Sequence, residues 1–365
     1  MKKSLIALAV LAASGAAMAQ STVTLYGIAD VWLGSASVDK GDGKGSLAQT
    51  KLDSAAFNGN RWGMKGSEDL GGGLKANFQL ESGFSIDTGA QGQGAAFGRQ
   101  AWVGVSGGFG SVQLGRMSTA IYNVSGASNA GFDSAFSPLS SIGRVSDQGN
   151  AQALSGATGN TLRFNNAVQY TTPTMSGLTA QVQYAMGENK TSASDADSAM
   201  GLNLAYTGGP VGVQFAYQVE TCKTAGSTLG TAACAGTDDR KFTLLGAQYD
   251  LGVAKLMASY GRASNIAGVN DASSNEYQFG VDVPVGSALT VSASYAKAND
   301  NSTQSRRVNA AGTGDASREG YGIVAKYALS KRTFVYGGYE ADKQTQDSVA
   351  DYKHSLFAVG VNHKF

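Results

Sequence analysis

The side chains best suited to chemistry are few and badly placed for it. The chain has two histidines, His354 and His363, both in its last dozen residues. A nucleophile and a base must lie within hydrogen-bond reach of one another. No G-x-S-x-G elbow frames a serine for either histidine. Glu68-Asp69 is a carboxylate pair, but the Gly-rich stretch around it reads as a turn, where such residues are common. The two cysteines, Cys222 and Cys234, sit in a run rich in Gly, Thr and Ala. On an oxidising export route they pair as a disulfide, closing a loop of about a dozen residues and contributing roughly 3 kcal/mol. Neither histidine is near them in sequence, so a metal centre is not indicated, nor is any cofactor. The pattern argues against an enzyme and points to what the elements themselves build.

Those elements are strands. Ser355 to Phe365 alternates, with Phe357, Val359, Val361 and Phe365 on one side and Asn362 and Lys364 on the other. Soluble domains seldom end on an exposed Phe at the tip of an amphipathic strand. An outer-membrane barrel, apolar towards lipid and polar towards a wet interior, accounts for it. The N-terminus agrees. Lys2-Lys3, the apolar run Leu5 to Ala13 and Ala17-Met18-Ala19 form a secretory signal over residues 1–19, leaving a mature domain at 20–365. The apolar run is too short for a transmembrane helix, so the exported chain either stays soluble or spans as a closed barrel.

Glycine accounts for 50 of 365 residues, proline for 4, and charged residues for 15%. That charge content is below the roughly 25% of average soluble chains. A net charge of +1 leaves no basic footprint for nucleic acid. No break in composition marks a second domain.

Period-two segments recur sixteen times, beginning with Thr22–Gly34. In that segment Val23, Leu25, Ala29 and Val31 oppose Thr24, Tyr26 and Asp30. Short turns at Glu68–Gly73, Gly107–Gly110, Thr172–Gly177, Gly208–Pro210, Asp250–Gly252, Pro284–Ser287 and Leu329–Lys331 alternate strictly with longer polar loops. The loops fall at about 35–59, 86–98, 117–161, 188–198, 220–239, 263–274, 298–317 and 341–353. A β-sandwich or adhesin does not sort its connections in this way. A sixteen-stranded antiparallel transmembrane β-barrel does, and its interior is wide enough for water. Tyr184, Tyr206, Tyr217, Tyr249, Tyr260 and Tyr295 fall near strand ends, where an aromatic girdle belongs.

Several stretches resemble the Gram-negative general porins. They are Thr24-Leu-Tyr-Gly-Ile-Ala-Asp30, Arg61-Trp-Gly-Met-Lys-Gly-Ser-Glu-Asp-Leu-Gly-Gly-Gly-Leu-Lys75, Phe78-Gln-Leu-Glu-Ser-Gly83, Gly107-Gly-Phe-Gly-Ser-Val-Gln-Leu-Gly-Arg116 and Asn165-Asn-Ala-Val-Gln-Tyr170. The resemblance covers essentially the whole mature chain. It implies a homotrimer in outer-membrane lipid and lipopolysaccharide, with Phe365 read as an insertion signal by the barrel-insertion machinery. It also implies a third external loop, here 117–161, folded into the lumen as a constriction. The Pro-Glu-Phe-Gly element of many relatives is missing from that loop, and Gly131 to Pro138 is its nearest counterpart.

Such porins set arginines on the barrel wall against acids on the loop. By position Arg61 and Arg116 match the wall arginines, Arg144 resembles a third, and Arg163 is a fourth candidate. Parity places Arg61 inward with Gly63 and Lys65, and Asp30 and Glu81 on the lumen side. Asp133 and Asp147 are the candidate loop acids. Arg116 shares parity with Val112 and Leu114, so a bulge or a strand end is needed to turn it inward; a charge facing lipid near the midplane costs roughly 2–4 kcal/mol. Arg99 has the same parity problem and stands outside the set. The expected activity is passive diffusion of ions and small hydrophilic solutes with a weak preference for anions; the alternative is a substrate-specific or gated channel.

Overall fold

In the computed structural model the described residues are 22–143, 145, 161–223, 236–301, 315–346 and 349–365. The expected signal peptide lies outside them. The strand segments are β1 (Thr22–Asp39), β2 (Ser46–Ser54), β3 (Arg61–Gly71), β4 (Leu74–Gly83), β5 (Gln100–Gly107) and β6 (Gly110–Ser118). They continue as β7 (Arg163–Thr171), β8 (Leu178–Met186), β9 (Ser198–Gly208), β10 (Val211–Thr221), β11 (Arg240–Asp250) and β12 (Lys255–Ser264). The last are β13 (Ser273–Val285), β14 (Leu289–Asp300), β15 (Ala316–Ala328), β16 (Thr333–Gln346) and β17 (Val349–Lys364). Each pairs antiparallel with its neighbours, and β1 closes the barrel on β17, from Ile28 opposite Lys364 to Asp39 opposite Lys353.

One stave is interrupted. β1 pairs with β3 over Thr22–Ile28 and with β2 over Val31–Asp39, so β2 and β3 together fill one position and the barrel has sixteen staves. The stretch 46–54, expected as loop, is therefore a strand. Polar residues occupy both of its parities and hide the alternation. The break at 55–60 carries a left-handed Ala55, φ 65°. It is pinned by the fully buried Asp30, whose carboxylate accepts hydrogen bonds from Phe57 N and Asn58 N at 3.3 Å, Tyr336 Oη at 2.7 Å and Asn362 Nδ2 at 2.8 Å. The loop expected at 341–353 also shrinks, because β16 and β17 extend to within two residues of one another.

Side-chain facing follows the alternation. Val23, Leu25, Leu33, Val359 and Phe365 are exposed on the outer wall, as are Tyr184, Tyr206, Tyr249, Tyr260 and Tyr295. The tight ends rely on turn chemistry. Gly71, Gly72 and Gly73 all have positive φ, and Asp69 Oδ1 accepts from Gly71 N at 2.8 Å, so Glu68-Asp69 lies at a hairpin end.

The connection after β6 folds inside. Its helix Ala120–Ser128 packs on β10 and β11, and its short helix Pro138–Ile142 packs on β14 and β15. Ile121 and Val124 bury against Phe242 and Leu244; Phe136 buries against Trp32, Tyr336 and Leu356. This explains why inward positions on β1, β11 and β17 carry large apolar residues instead of the polar ones a wet lumen would favour. Wall glycines make the seat. A Cβ on Gly322 would stand 1.8 Å from the Phe136 carbonyl oxygen, and one on Gly280 would stand 2.1 Å from Ala130 Cβ. Wall amides complete it: Gln183 Oε1 accepts from Ala120 N and Gln278 Oε1 from Ala130 N, each at 2.8 Å.

Candidate functional site: the constriction

The inserted loop covers the inner wall of β8 to β16 and leaves its free edge facing β3 to β7. Between edge and wall lies a space of about 390 Å³, lined by Arg61, Arg99 and Arg163 from the wall and by Tyr122, Asp133 and Ser134 from the loop. Arg61 opens β3, where the interrupted stave resumes, and its Nε donates to the Gly59 carbonyl at 2.9 Å. Arg163 opens β7, with Nε donating to the Arg99 carbonyl at 3.1 Å. Its guanidinium lies 4.9 Å from the centre of the Tyr122 ring and donates to the phenol oxygen at 3.4 Å. Arg99 donates through Nε to Glu81 Oε1 at 2.7 Å.

Two expected site residues come together here directly, Arg61 and Arg163. Asp133 does so from the loop, held by Asn129 Nδ2 at 2.8 Å. Burial pushes its carboxyl up to about 7, against the opposing pull of the Asn129 donor and of Arg61. The residue missed was Arg99. It precedes β5, which begins at Gln100, so strand parity does not govern it. The signal was available in the run Phe97-Gly98-Arg99, where the glycine ends the alternation.

Three expectations need correction. Glu81 is inward, but it stands on the wall as the partner of Arg99 and takes a second hydrogen bond from Tyr26 Oη at 2.9 Å, so it is not on an opposing acidic side. Asp30 is inward by parity and sealed by the break in the second stave, away from the open lumen. Arg116 does have a bulge beside it, where the β6–β7 register shifts between Gly115 and Met117. The β5–β6 ladder nevertheless stays in register, with Arg116 opposite Ala101 and Leu114 opposite Val103, and both Leu114 and Val103 are exposed outside. Outward parity wins. Arg116 holds the Gly98 carbonyl at 2.8 Å and Asn165 Oδ1; it does not line the space, although its charge is felt by Arg163. Arg144, Asp147 and Cys234 lie outside the described residues; Cys222 is buried and disulfide-bonded.

The histidines serve the wall. His354 Nδ1 donates to Asp342 Oδ2 at 3.0 Å and lies 3.3 Å from Glu340 Oε2, all three buried. His363 Nδ1 lies 2.9 Å from Thr333 Oγ1. The lumen-facing chemistry at the constriction is thus electrostatic: three guanidiniums, a phenol and the carboxylates of Glu81, Asp133 and Asp53, the last paired with Lys51 at 2.5 Å.

Comparison with known proteins agrees with this architecture. The family model for the Gram-negative porin matches residues 5–347. The chain is 36% identical over 349 residues to outer membrane porin protein 32 of Delftia acidovorans, covering 92% of this chain and 88% of that protein. It is 30% identical over 417 residues to an outer membrane porin protein of Bordetella pertussis, covering both chains fully. Among solved structures, an anion-selective porin from Comamonas acidovorans superposes with a TM-score of 0.76 at 27% identity, over 95% of this chain and 100% of that one. A closed sixteen-stave barrel with an inserted third loop, matched along its length by these relatives, belongs to the Gram-negative porin family.

Proposed function

We propose that this outer-membrane porin passes ions and small hydrophilic solutes through a constriction that weakly prefers anions. One observation carries the preference: Arg61, Arg99 and Arg163 converge on one space, where the described acids are Glu81, Asp133 and Asp53, and Asp53 is already paired with Lys51. Fixed charge in a cleft with low-dielectric walls concentrates the opposite ion. The anion-selective character of the Comamonas acidovorans protein supports the same sign. No catalytic role is assigned; a wall of paired arginines offers no nucleophile with its base.

The remaining expectations complete the reading. Residues 1–19 are removed as a signal peptide, and residues 20–365 assemble as a homotrimer in outer-membrane lipid and lipopolysaccharide. The barrel-insertion machinery reads the last strand through Phe365, whose ring packs on Gly27 and whose carbonyl accepts from Gly27 N at 3.0 Å.

The test is replacement of Arg61 and Arg163 by alanine together. The chloride-over-potassium permeability ratio, read from the reversal potential in a salt gradient, should fall by about threefold or more. An unchanged ratio in folded protein would remove the cluster from the permeation path.

A further inference from the structure

Tyr122 is the loop side chain nearest the arginines, and diffusion alone gives it no role. Its helix is fixed before Tyr122 reaches the lumen. Thr119 caps it by accepting from Tyr122 N at 3.3 Å, Gln183 holds Ala120 N, and Ile121 and Val124 are buried against the wall. The phenol is therefore presented to the constriction by a rigid element.

We propose that Tyr122 determines the charge specificity of this channel: the loop holds its phenol oxygen against the guanidiniums of Arg99 and Arg163, so keeping or losing one hydroxyl proton sets the net charge a solute meets. This rests on the reading of the arginine cluster as the constriction. A phenol oxygen that accepts from guanidiniums becomes a better acceptor as phenolate, and the proton passes to lumen water. Burial alone would raise the phenol, yet the fields of Arg99, Arg163 and Arg61 outweigh it and bring it below the ordinary value.

The charged groups around Tyr122 are Arg61 from β3, Arg99 ahead of β5, Arg163 from β7 and Asp133 from the loop itself. Glu81 of β4 stands behind Arg99, and Arg116 of β6 is turned outward. Behind the helix, Glu220 of β10 and Arg240 of β11 are paired with each other, and Arg262 of β12 bonds Asn275 on the exposed face. The sign follows. With the phenol protonated, the cluster keeps its full positive charge; with phenolate, one charge is cancelled. Anion preference therefore falls as pH rises through the phenol's titration. Asp133 acts in the same direction at lower pH, since its carboxyl is neutral below about 7.

The experiment is the reversal potential of single channels in a potassium chloride gradient, over roughly pH 6 to pH 10.5, for the wild type, Tyr122→Phe and Asp133→Asn. The wild type should lose chloride preference in two stages, each about two- to threefold in permeability ratio. Y122F should lack only the alkaline stage and D133N only the stage near neutrality. Ultraviolet titration of the same samples should show one early tyrosinate among 15 tyrosines that is missing from Y122F. An alkaline stage and an early tyrosinate that both persist in Y122F would overturn the inference. A wild type with no chloride preference at any pH would instead overturn the arginine reading beneath it.

Discussion

At the scale of the residue, one position of strand parity separates a lumen charge from an outer-wall charge. Arg61 and Arg163 open their strands on the inward side, whereas Arg116 stays in register with the outward set despite the bulge beside it. Arg116→Ala is therefore expected to leave the permeability ratio unchanged, in contrast to the Arg61 and Arg163 pair, and side-by-side reversal potentials check this. Asp30 has a different importance. Its carboxylate gathers four hydrogen bonds at the broken stave, from Phe57, Asn58, Tyr336 and Asn362. Asp30→Ala removes the acceptor of Phe57 N, Asn58 N and Tyr336 Oη, while Asn362 Nδ2 keeps Asn58 Oδ1, at about 1–3 kcal/mol for each buried group left unsatisfied. The variant should unfold at lower denaturant than the wild type while keeping its ion selectivity, and a denaturation series scored by heat-modifiable mobility reads the difference. Residue roles were the least legible part of the sequence. Arg61 could be placed by position and parity and Arg163 only as a fourth candidate, while Glu81 faces inward and still belongs to the basic wall, a fact set by its pairing with Arg99.

At the scale of the element, the inserted loop makes the constriction, and the wall is shaped to receive it. Wall glycines on β13, β15 and β16 leave room, and loop apolar residues fill it. Gly322→Val should drive the new side chain into the Phe136 carbonyl and displace the loop, an overpacking cost of about 1–3 kcal/mol that falls on the loop more than on the strand ladders. The expected readout is a larger single-channel conductance with a weaker chloride preference; an unchanged conductance would mean that the seat does not hold the loop. Strands and turns were legible because period-two alternation and Gly, Pro, Asp and Ser clusters are local signals. The strand Ser46–Ser54 was not, since Leu47 and Leu52 lie on opposite parities and polar residues fill the rest. The seat was illegible as well. An inward Phe242 or Leu244 reads as an error in alternation until a loop some 120 residues away is laid on it.

At the scale of the whole molecule, the barrel is a wall with one face in lipid and a wet interior narrowed on one side. Closure of β1 on β17 leaves no open edge, the condition for strands to cross a bilayer. The alternation of tight turns and long loops fixed this architecture in sequence, because connection length is set by which end of the barrel a link serves. The central claim is that water and ions cross this barrel past a net positive constriction. Single-channel recording of the purified wild-type protein in a planar bilayer, with the reversal potential under a potassium chloride gradient near neutral pH, tests it most directly. Large ohmic steps with a reversal potential displaced towards the chloride equilibrium value are predicted. Folded protein that stays silent, or steps that reverse towards the potassium value, would contradict it.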